Sequence, residues 1–255
     1  MTLRTLQKWH GAGNDFLVDV VENSTETWWN STRARAVCAR GTGVGADGLL
    51  VATVGSRVNM ELFNADGSLA EMSGNGIRCL AAAVRRSTRG TWDTLEVDTG
   101  AGPRTVRLTM DGWSGSGSVH MGPVHLHADL DGALGVADLG NPHVVVLDNP
   151  AWTTEICEGI ADEFARRIGG ANVEFITVLG PDHLRLRVIE RGVGWTLACG
   201  TGSCASAAIA HRAGLTGTEV RVDNPGGTLE VSLHDGEATL RGPVQFIANV
   251  EWLDV

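Results

Sequence analysis

Residues 73–86 read SGNGIRCLAAAVRR, and residues 199–212 read CGTGSCASAAIAHR. Both segments begin with a small nucleophile, serine or cysteine, followed by Gly-x-Gly. Both continue as an alanine-rich apolar segment that ends in arginine, and strand-like segments precede them at 58–63 and 184–189. In each half of the chain this order predicts a strand, a glycine-rich turn and one buried helix.

Two more pairs of segments repeat in the same order. TLEV occurs at 94–97 and 228–231, and GPV occurs at 122–124 and 242–244. The spacings of the three pairs are 126, 134 and 120 residues. Three repeats in one order are typical of a duplicated domain whose loops differ slightly in length. A single mixed sheet with a chance repetition of the glycine motif is the alternative.

We therefore expect an α+β fold of two similar lobes related by a pseudo-twofold axis. The N-terminal lobe is expected to span residues 1–120 and to pack with the C-terminal segment 243–255. The C-terminal lobe is expected to span residues 121–255. Strands are expected to dominate, for example at 16–20, 48–54, 106–110, 144–147, 173–178 and 238–240.

The composition is that of an ordinary globular chain. Of the 255 residues, 43% are hydrophobic and 20% are charged. No apolar run approaches the roughly 20 residues that cross a bilayer, and the first 16 residues lack a signal-like apolar core, so we expect a cytoplasmic protein without a membrane partner. The net charge of −10 argues against a nucleic-acid partner. A homodimer is only the general expectation for such a chain.

Missing residue types restrict the cofactors and metals that we expect. Lys8 is the only lysine, and there is no tyrosine. Pyridoxal phosphate enzymes need a lysine for their Schiff base, and Lys8 falls on the expected first strand, so this cofactor is not expected. The five cysteines are odd in number and form no CxxC pair, which argues against a disulfide framework and a zinc site. We expect neither a cofactor nor a metal.

The repeated motif places its nucleophile at the N-terminus of a helix. The first N–H groups of a helix lack partners within it and the dipole is positive there, so such a terminus binds a carboxylate or phosphate. It also lowers the pKa of a cysteine from about 8.5 toward neutrality, which makes Cys199 a candidate thiolate. Two such termini facing one small anion would suit removal of a proton from one face of a carbon acid and its return on the other. The amides would stabilise the negative charge that develops.

Longer motifs around these segments resemble those of the diaminopimelate epimerase family. In chain order they are KWHGAGNDF at 8–16, FNADGSLAEMSGNGIR at 63–78, GNPH at 140–143, NVEF at 172–175 and ERGVGWTLACGTGSC at 190–204. They cover nearly the whole chain, and together they are highly specific, although no single one is. The resemblance implies two similar lobes, each a strand barrel around a central helix. It also implies a cofactor-independent epimerisation by two bases, one cysteine from each lobe.

The resemblance also implies roles for individual residues. Cys199 would be the acid/base of the second lobe, and His143 and Glu190 would hold the reacting amino group and assist the thiols. The reacting carboxylate would lie on the amides near Gly74, Asn75, Gly200 and Thr201. The distal end of the substrate, a second polar head as in diaminopimelate, would be bound by Asn14, Asn64, Asn172 and Arg191. Arginine can bind a carboxylate through two parallel hydrogen bonds, and an asparagine amide can donate or accept.

Two residues depart from the family pattern. Ser73 stands where the family has its first catalytic cysteine, and Trp195 stands where the family has a glutamate. A hydroxyl is a weaker acid than a thiol by several pKa units, each worth about 1.4 kcal/mol. Ser73 is therefore a poor base, although it is less handicapped as a proton donor. Trp195 is expected to reshape the substrate pocket, and a rim residue without consequence is the alternative.

Three explanations of Ser73 stay open. The serine could be an introduced change that traps substrate or blocks oxidation. It could belong to a natural paralogue that epimerises with a Ser/Cys pair, or to one that catalyses a one-base elimination or isomerisation of another amino-acid-like acid. A non-catalytic amino-acid binder would not need Cys199 in its full glycine-rich loop beside Glu190. We expect a cofactor-free amino-acid epimerase or racemase with proton transfer between Cys199 and the opposing Ser73.

Overall fold

The chain forms two compact units in the computed structural model, which describes residues 2–22 and 28–254. The first unit combines Met1–Val119 with Gly242–Val255, and the second unit is His120–Arg241. The outermost residues of the expected lobes, Met1 and Val255, lie outside the described residues. No helix in the described part of the chain is long and apolar enough to span a membrane.

Strands dominate the first unit. Its elements are β1 (Thr2–Gly11), β2 (Asn14–Glu22), α1 (Ser31–Cys38), β3 (Gly48–Val54), β4 (Val58–Asn64), β5 (Leu69–Ala70), α2 (Gly74–Ser87), β6 (Thr94–Thr99), β7 (Gly102–Asp111) and β8 (Ser114–Pro123). The last residues of β8 belong to the second unit. The final strand of the chain, β17 (Glu237–Asp254), begins in the second unit and ends in the first.

Eight of these strands form a closed ring. β1 pairs with β2, the ladder continues through β3, β4, β6, β7 and β8 to β17, and β17 pairs back with β1. α2 is packed against β1, β2, β3 and β7. Every residue from Gly74 to Val84 is buried. Small residues, Gly74, Gly76 and the alanines 81–83, share this enclosed helix with the large buried side chains of Ile77, Arg78 and Leu80, as expected in a close-packed interior.

The second unit has a matching set of elements. They are β9 (His125–Leu126), β10 (Gly135–Asp138), β11 (Pro142–Leu147), α3 (Thr154–Ile168), β12 (Asn172–Gly180), β13 (His183–Glu190), β14 (Gly194–Thr196), α4 (Gly200–Arg212), β15 (Glu219–Asn224), β16 (Gly227–His234) and the first part of β17.

The strand pairings of the first unit recur in the second. β2–β3 and β11–β12 are parallel pairs, β3–β4 and β12–β13 are antiparallel, and β4–β6 and β13–β15 are parallel again. The ladder continues from β15 through β16 and β17 to β8, and β9, which follows β8, pairs with β10. α4 packs against β10, β11, β12, β13, β15 and β16. These features confirm the predicted α+β class, with a strand barrel around a helix in each unit.

The expectation of one helix in each half is incomplete, because each unit has a second helix. α1 packs against β3 and β4, and α3 packs against β12. α1 is only eight residues long and carries two arginines, so its apolar pattern is short. α3 buries Cys157, Ala161 and Phe164, a spacing typical of an amphipathic helix. Only the second of these helices therefore had a clear sequence signal.

A substitution on α4 tests its enclosed position. Ala207 is completely buried, so Ala207→Leu is expected to lower the free energy of unfolding by about 1–3 kcal/mol through overpacking. Ala36→Leu, on the exposed side of α1, is the control and should stay within about 0.5 kcal/mol of the wild type. Urea denaturation followed by circular dichroism measures both variants. Equal stability of the two would contradict the enclosed helix.

Candidate functional site

Ser73 is the N-cap of α2 in the first unit. Its backbone is extended, and its Oγ accepts a hydrogen bond from the Gly76 amide at 3.0 Å. A Cβ on Gly76 would lie 3.4 Å from the ring of the buried Phe16. Within residues 2–22 and 28–254, no charged side chain bonds to the Ser73 hydroxyl. Among the described residues, the hydroxyl therefore lies at a helix N-terminus without a charged hydrogen-bond partner.

A chain of hydrogen bonds next to Ser73 runs from a buried cation to an anion. Arg78, which is 0% exposed, donates to Oδ1 of Asn75 at 2.7 Å and to the carbonyl of Gly74 at 2.7 Å. Nδ2 of Asn75 donates to Oδ1 of Asn14 at 3.3 Å. Nδ2 of Asn14 donates to Asp47 at 2.7 Å. Because arginine only donates and a carboxylate only accepts, the two ends of the chain fix which way both amides point.

The anionic end of this chain of hydrogen bonds has further partners, whereas Asn64 is bonded elsewhere. Asp47 also accepts from the backbone amide of Asp15 at 3.0 Å and pairs with Arg40 at 2.7 Å. Asn64 lies at the exposed end of β4, where its Nδ2 donates to Ser68 at 3.0 Å. The structure thus brings two of the predicted binding asparagines together and leaves Asn64 outside their hydrogen bonds.

Cys199 has the corresponding position at the start of α4 in the second unit. Its Sγ accepts a hydrogen bond from the Gly202 amide at 3.3 Å and lies 3.5 Å from Oγ1 of Thr201. Glu190, the last residue of β13, lies close enough for its charge to act on the thiol. The predicted binding residues Gly200 and Thr201 are the first two residues of the helix. The sulfur is therefore bordered by helix amides and by a carboxyl group.

His143 and Glu174 form a buried pair in the same unit. Both side chains are 0% exposed, and Nδ1 of His143 lies 2.6 Å from Oε1 of Glu174. Nε2 of His143 lies 3.0 Å from Oδ1 of Asn141. Both ring nitrogens of His143 therefore have partners within the second unit. Sequence reasoning missed Glu174, although one charged residue in the apolar segment VEFITV signals a buried partner.

The electrostatics around Cys199 overturn the expectation of a lowered thiol pKa. Burial raises the pKa of the Cys199 thiol well above its usual value, and the charges of Glu190 and Glu174 raise it further. The hydrogen bonds from Thr201 and the Gly202 amide lower it, but they do not outweigh burial. Burial likewise raises the pKa of the Glu190 carboxyl. The resting form of Cys199 is the neutral thiol.

Asn172 and Arg191 are hydrogen-bonded neighbours: the Asn172 side chain is buried, whereas the Arg191 side chain is exposed. Oδ1 of the buried Asn172 accepts from the Arg191 amide at 2.9 Å, and its Nδ2 donates to the carbonyl of Pro142 at 3.4 Å. Asn172 thus braces the backbone after β13. The exposed Arg191 side chain passes Gly170 and has no ion pair among the described residues. Its guanidinium is therefore open to a carboxylate.

Trp195 lies on the face of β14 opposite to Thr196, the residue that bonds to Glu190. Side chains alternate between the faces of a strand. On β14, Thr196 donates to Glu190 at 2.5 Å, whereas the Trp195 indole donates to Glu158 of α3 at 3.0 Å. The guanidinium of Arg187 lies 5.5 Å from the Trp195 ring centre. Trp195 therefore packs α3 against the sheet, and it is only 36% exposed.

The chemistry that these residues offer is proton transfer beside an anion-binding helix terminus. Cys199, Glu190 and the His143–Glu174 pair are titratable groups close to the first turn of α4. The part of the chain that the structure describes holds no group of three or more His, Cys, Asp or Glu side chains arranged for a metal ion.

Comparison with known sequences finds one family. A family model described as diaminopimelate epimerase matches residues 6–127 and 135–247. A diaminopimelate epimerase from Synechococcus elongatus is 36% identical over 264 residues, which cover 92% of this chain and 93% of that protein. A diaminopimelate epimerase from Clostridium perfringens is 33% identical over 268 residues, which cover 96% of this chain and 98% of that protein.

Solved structures share the fold at low sequence identity. A hydroxyproline epimerase from Agrobacterium vitis, solved with bound trans-4-hydroxy-L-proline, has a TM-score of 0.75 at 15% identity and covers 99% of this chain and 91% of its own. A phenazine biosynthesis protein from Bacillus anthracis has a TM-score of 0.72 at 14% identity and covers both chains completely. These similarities concern the fold alone.

The outward position of Trp195 gives a prediction. Trp195→Leu is expected to lower the free energy of unfolding by about 1–2 kcal/mol, because the contact with α3 is lost. The KM for the amino-acid substrate should stay within about twofold, because the indole does not reach Cys199. Trp113→Leu, at a 59% exposed position, is the control. A tenfold rise in KM at unchanged stability would support the binding role.

Proposed function

The chain belongs to the diaminopimelate epimerase family of isomerases, and we propose that it inverts the α-carbon of an amino acid by proton transfer between Cys199 and Ser73. The observation that carries this proposal is the setting of Cys199: a thiol at the N-terminus of α4 that accepts a hydrogen bond from the Gly202 amide and feels the charge of Glu190. A non-catalytic binder would not need this arrangement.

The five cysteines are unpaired thiols, which supports a cytoplasmic setting.

The substrate carboxylate would bind the helix amides. The amides near Gly74 and Asn75 in one unit, and near Gly200 and Thr201 in the other, begin helices whose dipoles favour an anion. Removal of the α-proton spreads negative charge into the carboxylate. Amide donors that point to this group stabilise the transition state more than the ground state. The proposed site therefore needs an α-carboxylate in its substrate.

Cys199 would exchange its proton with Glu190 before it acts as a base. The neutral thiol can donate a proton to a carbanion directly. To remove a proton, it must first pass its own to a neighbour. Burial raises the pKa of Glu190, so this carboxyl can accept the proton more readily than an exposed glutamate. The thiolate then takes the α-proton, which restores the Cys199 thiol, and the Ser73 hydroxyl gives its proton to the opposite face of the carbanion. Glu190 releases its proton to water, and water returns a proton to the serine oxygen.

A second polar group on the substrate is supported by Arg191. Its guanidinium is exposed and has no ion pair among the described residues, and it can bind a second carboxylate with two hydrogen bonds. In the first unit, Asn14, whose orientation is fixed through Asp47, and Asn64 are the further residues that we propose for the second polar group. Asn172 would contribute by holding the Arg191 backbone. Diaminopimelate, which has a polar head at each end, fits this set.

A one-base reaction is the second candidate, and the surroundings of Ser73 favour it. No charged group bonds to this hydroxyl in the described chain. A serine without a base can return a proton but abstracts one poorly. The enzyme would then exchange the α-proton, or isomerise or eliminate, without inverting freely in both directions. A native cysteine changed to Ser73 would give the same behaviour.

Proton NMR in deuterium oxide separates these functions. The panel contains LL- and meso-diaminopimelate and single-headed amino acids, and it is run on the wild type, Ser73→Cys and the control Ser232→Cys. We expect the wild type to exchange an α-proton of diaminopimelate with inversion, and we expect Ser73→Cys to be faster by at least about tenfold, because the thiol is the stronger acid.

Each other outcome supports a different conclusion. Exchange without inversion supports the one-base reaction. Turnover by Ser73→Cys alone identifies an epimerase that lacks its first base. If neither protein exchanges the α-proton of any amino acid in the panel, the proposed function is wrong.

A further inference from the structure

Glu174 is a buried carboxylate that the proposed proton transfer does not use. It lies on β12 between two completely buried apolar residues, Val173 and Phe175. Its Oε1 is bonded to His143 at 2.6 Å, whereas its buried Oε2 has no hydrogen-bond partner among the described residues. Burial of a carboxylate with half of its acceptors unused is costly. A role at the neighbouring site would explain why the chain carries a glutamate here.

Because Gly202 has no side chain, the Glu174 carboxylate can lie directly against the first turn of α4. A Cβ at Gly202 would lie 2.5 Å from Oε1 of Glu174 and 3.2 Å from Sγ of Cys199. Any side chain at this position would therefore collide with the carboxylate. A glycine at this position therefore allows both the Glu174 carboxylate and Sγ of Cys199 to lie close to the same helix turn.

The duplicated fold shows that the His143–Glu174 pair is not needed to build a barrel. In the parallel ladder of the second unit His143 is opposite Asn172, and the matching pair of the first unit is Phe16 and Gly48. The same strand registers place Leu50 where the second unit has Glu174. Phe16 and Leu50 are buried apolar side chains. The charged pair is thus specific to the unit that contains the thiol.

We propose that Glu174 is a positioning residue of the Cys199 site. Its carboxylate fixes the His143 ring through Nδ1, and its negative charge beside the first turn of α4 keeps Cys199 as the protonated thiol. This inference deepens the proposed function and rests on it for its meaning, but it can be tested without turnover. In that function, Glu174 would keep Cys199 protonated until Glu190 takes its proton.

The charges around Cys199 determine the direction of the effect. Glu174 faces the thiol from β12, Glu190 from β13 and His143 from β11, while the first turn of α4 contains no acidic residue. Burial and both carboxylates raise the pKa of Cys199. Loss of one carboxylate charge therefore lowers the thiol pKa and increases the fraction of thiolate at neutral pH.

The test measures how fast iodoacetamide alkylates Cys199 between pH 6 and 10, with mass spectrometry to assign the modified residue. Glu174→Gln is expected to alkylate about tenfold faster than the wild type at pH 7.5, with the rate profile moved to lower pH by about one unit. Glu174→Asp keeps the charge and should stay within about twofold of the wild type. Glu230→Gln, which removes an exposed carboxylate paired with Arg241, is the control.

Two results would overturn the inference. One is a Glu174→Gln rate within twofold of the wild type, and the other is a Glu174→Asp variant that behaves like Glu174→Gln. A purely structural role of Glu174 would not shift the profile in the folded protein.

A measurement on the wild-type chain covers the case that Glu174→Gln does not fold. Nitrogen-15 NMR of histidine, with the His143 signal assigned from a His143→Gln variant, is expected to show a proton on Nδ1 at pH 7, because this nitrogen faces a carboxylate. An unprotonated Nδ1 would overturn the inference.

The proposed function and this inference fail in different assays. If the wild type exchanges no α-proton but alkylation responds to Glu174→Gln as expected, the function is wrong and the positioning role holds. If the wild type inverts its substrate but alkylation does not respond to Glu174→Gln, the proposed function holds and the positioning role of Glu174 is wrong.

Discussion

A helix enclosed by strands begins with amide N–H groups that have no partner inside the helix. In each unit a nucleophile at the N-cap accepts one of these hydrogen bonds, Ser73 from Gly76 and Cys199 from Gly202. An unpaired buried amide costs about 1–3 kcal/mol, so each N-cap is a structural necessity before it is a chemical group. Glycine is needed in the same turn, because a side chain at Gly202 would collide with Glu174. The remaining amides are those that the proposed substrate carboxylate would use.

The two units have one topology but different electrostatics. Equivalent positions on the strands carry Phe16 and Leu50 in the first unit and His143 and Glu174 in the second. Of the two N-cap residues, Cys199 is the one with charged carboxyl groups near it among the described residues, and burial together with these charges raises its pKa. The proposed reaction is therefore asymmetric. Cys199 has neighbours that can exchange protons with it, whereas the Ser73 hydroxyl has only its helix.

The parts of the structure that follow from local order could be predicted from the sequence. The repeated motifs predicted both enclosed helices and the strands around them, because the pattern of each element lies within a few residues. The electrostatics of Cys199 could not be predicted this way. The thiol pKa depends on burial and on Glu174, which another strand brings to the helix. The face on which Trp195 lies depends on the pairing of β14 with β13, and α1 is too short to have a clear pattern.

In the proposed reaction, the Cys199 thiol moves the α-proton of the substrate. The most direct measurement is the rate of deuterium incorporation at the α-carbon of diaminopimelate in deuterium oxide, compared between the wild type and a folded Cys199→Ala variant. We expect incorporation by the wild type and a rate at least about 100-fold lower for the variant, the usual loss when a general acid or base is removed. Incorporation by Cys199→Ala within tenfold of the wild-type rate would show that Cys199 does not move the α-proton.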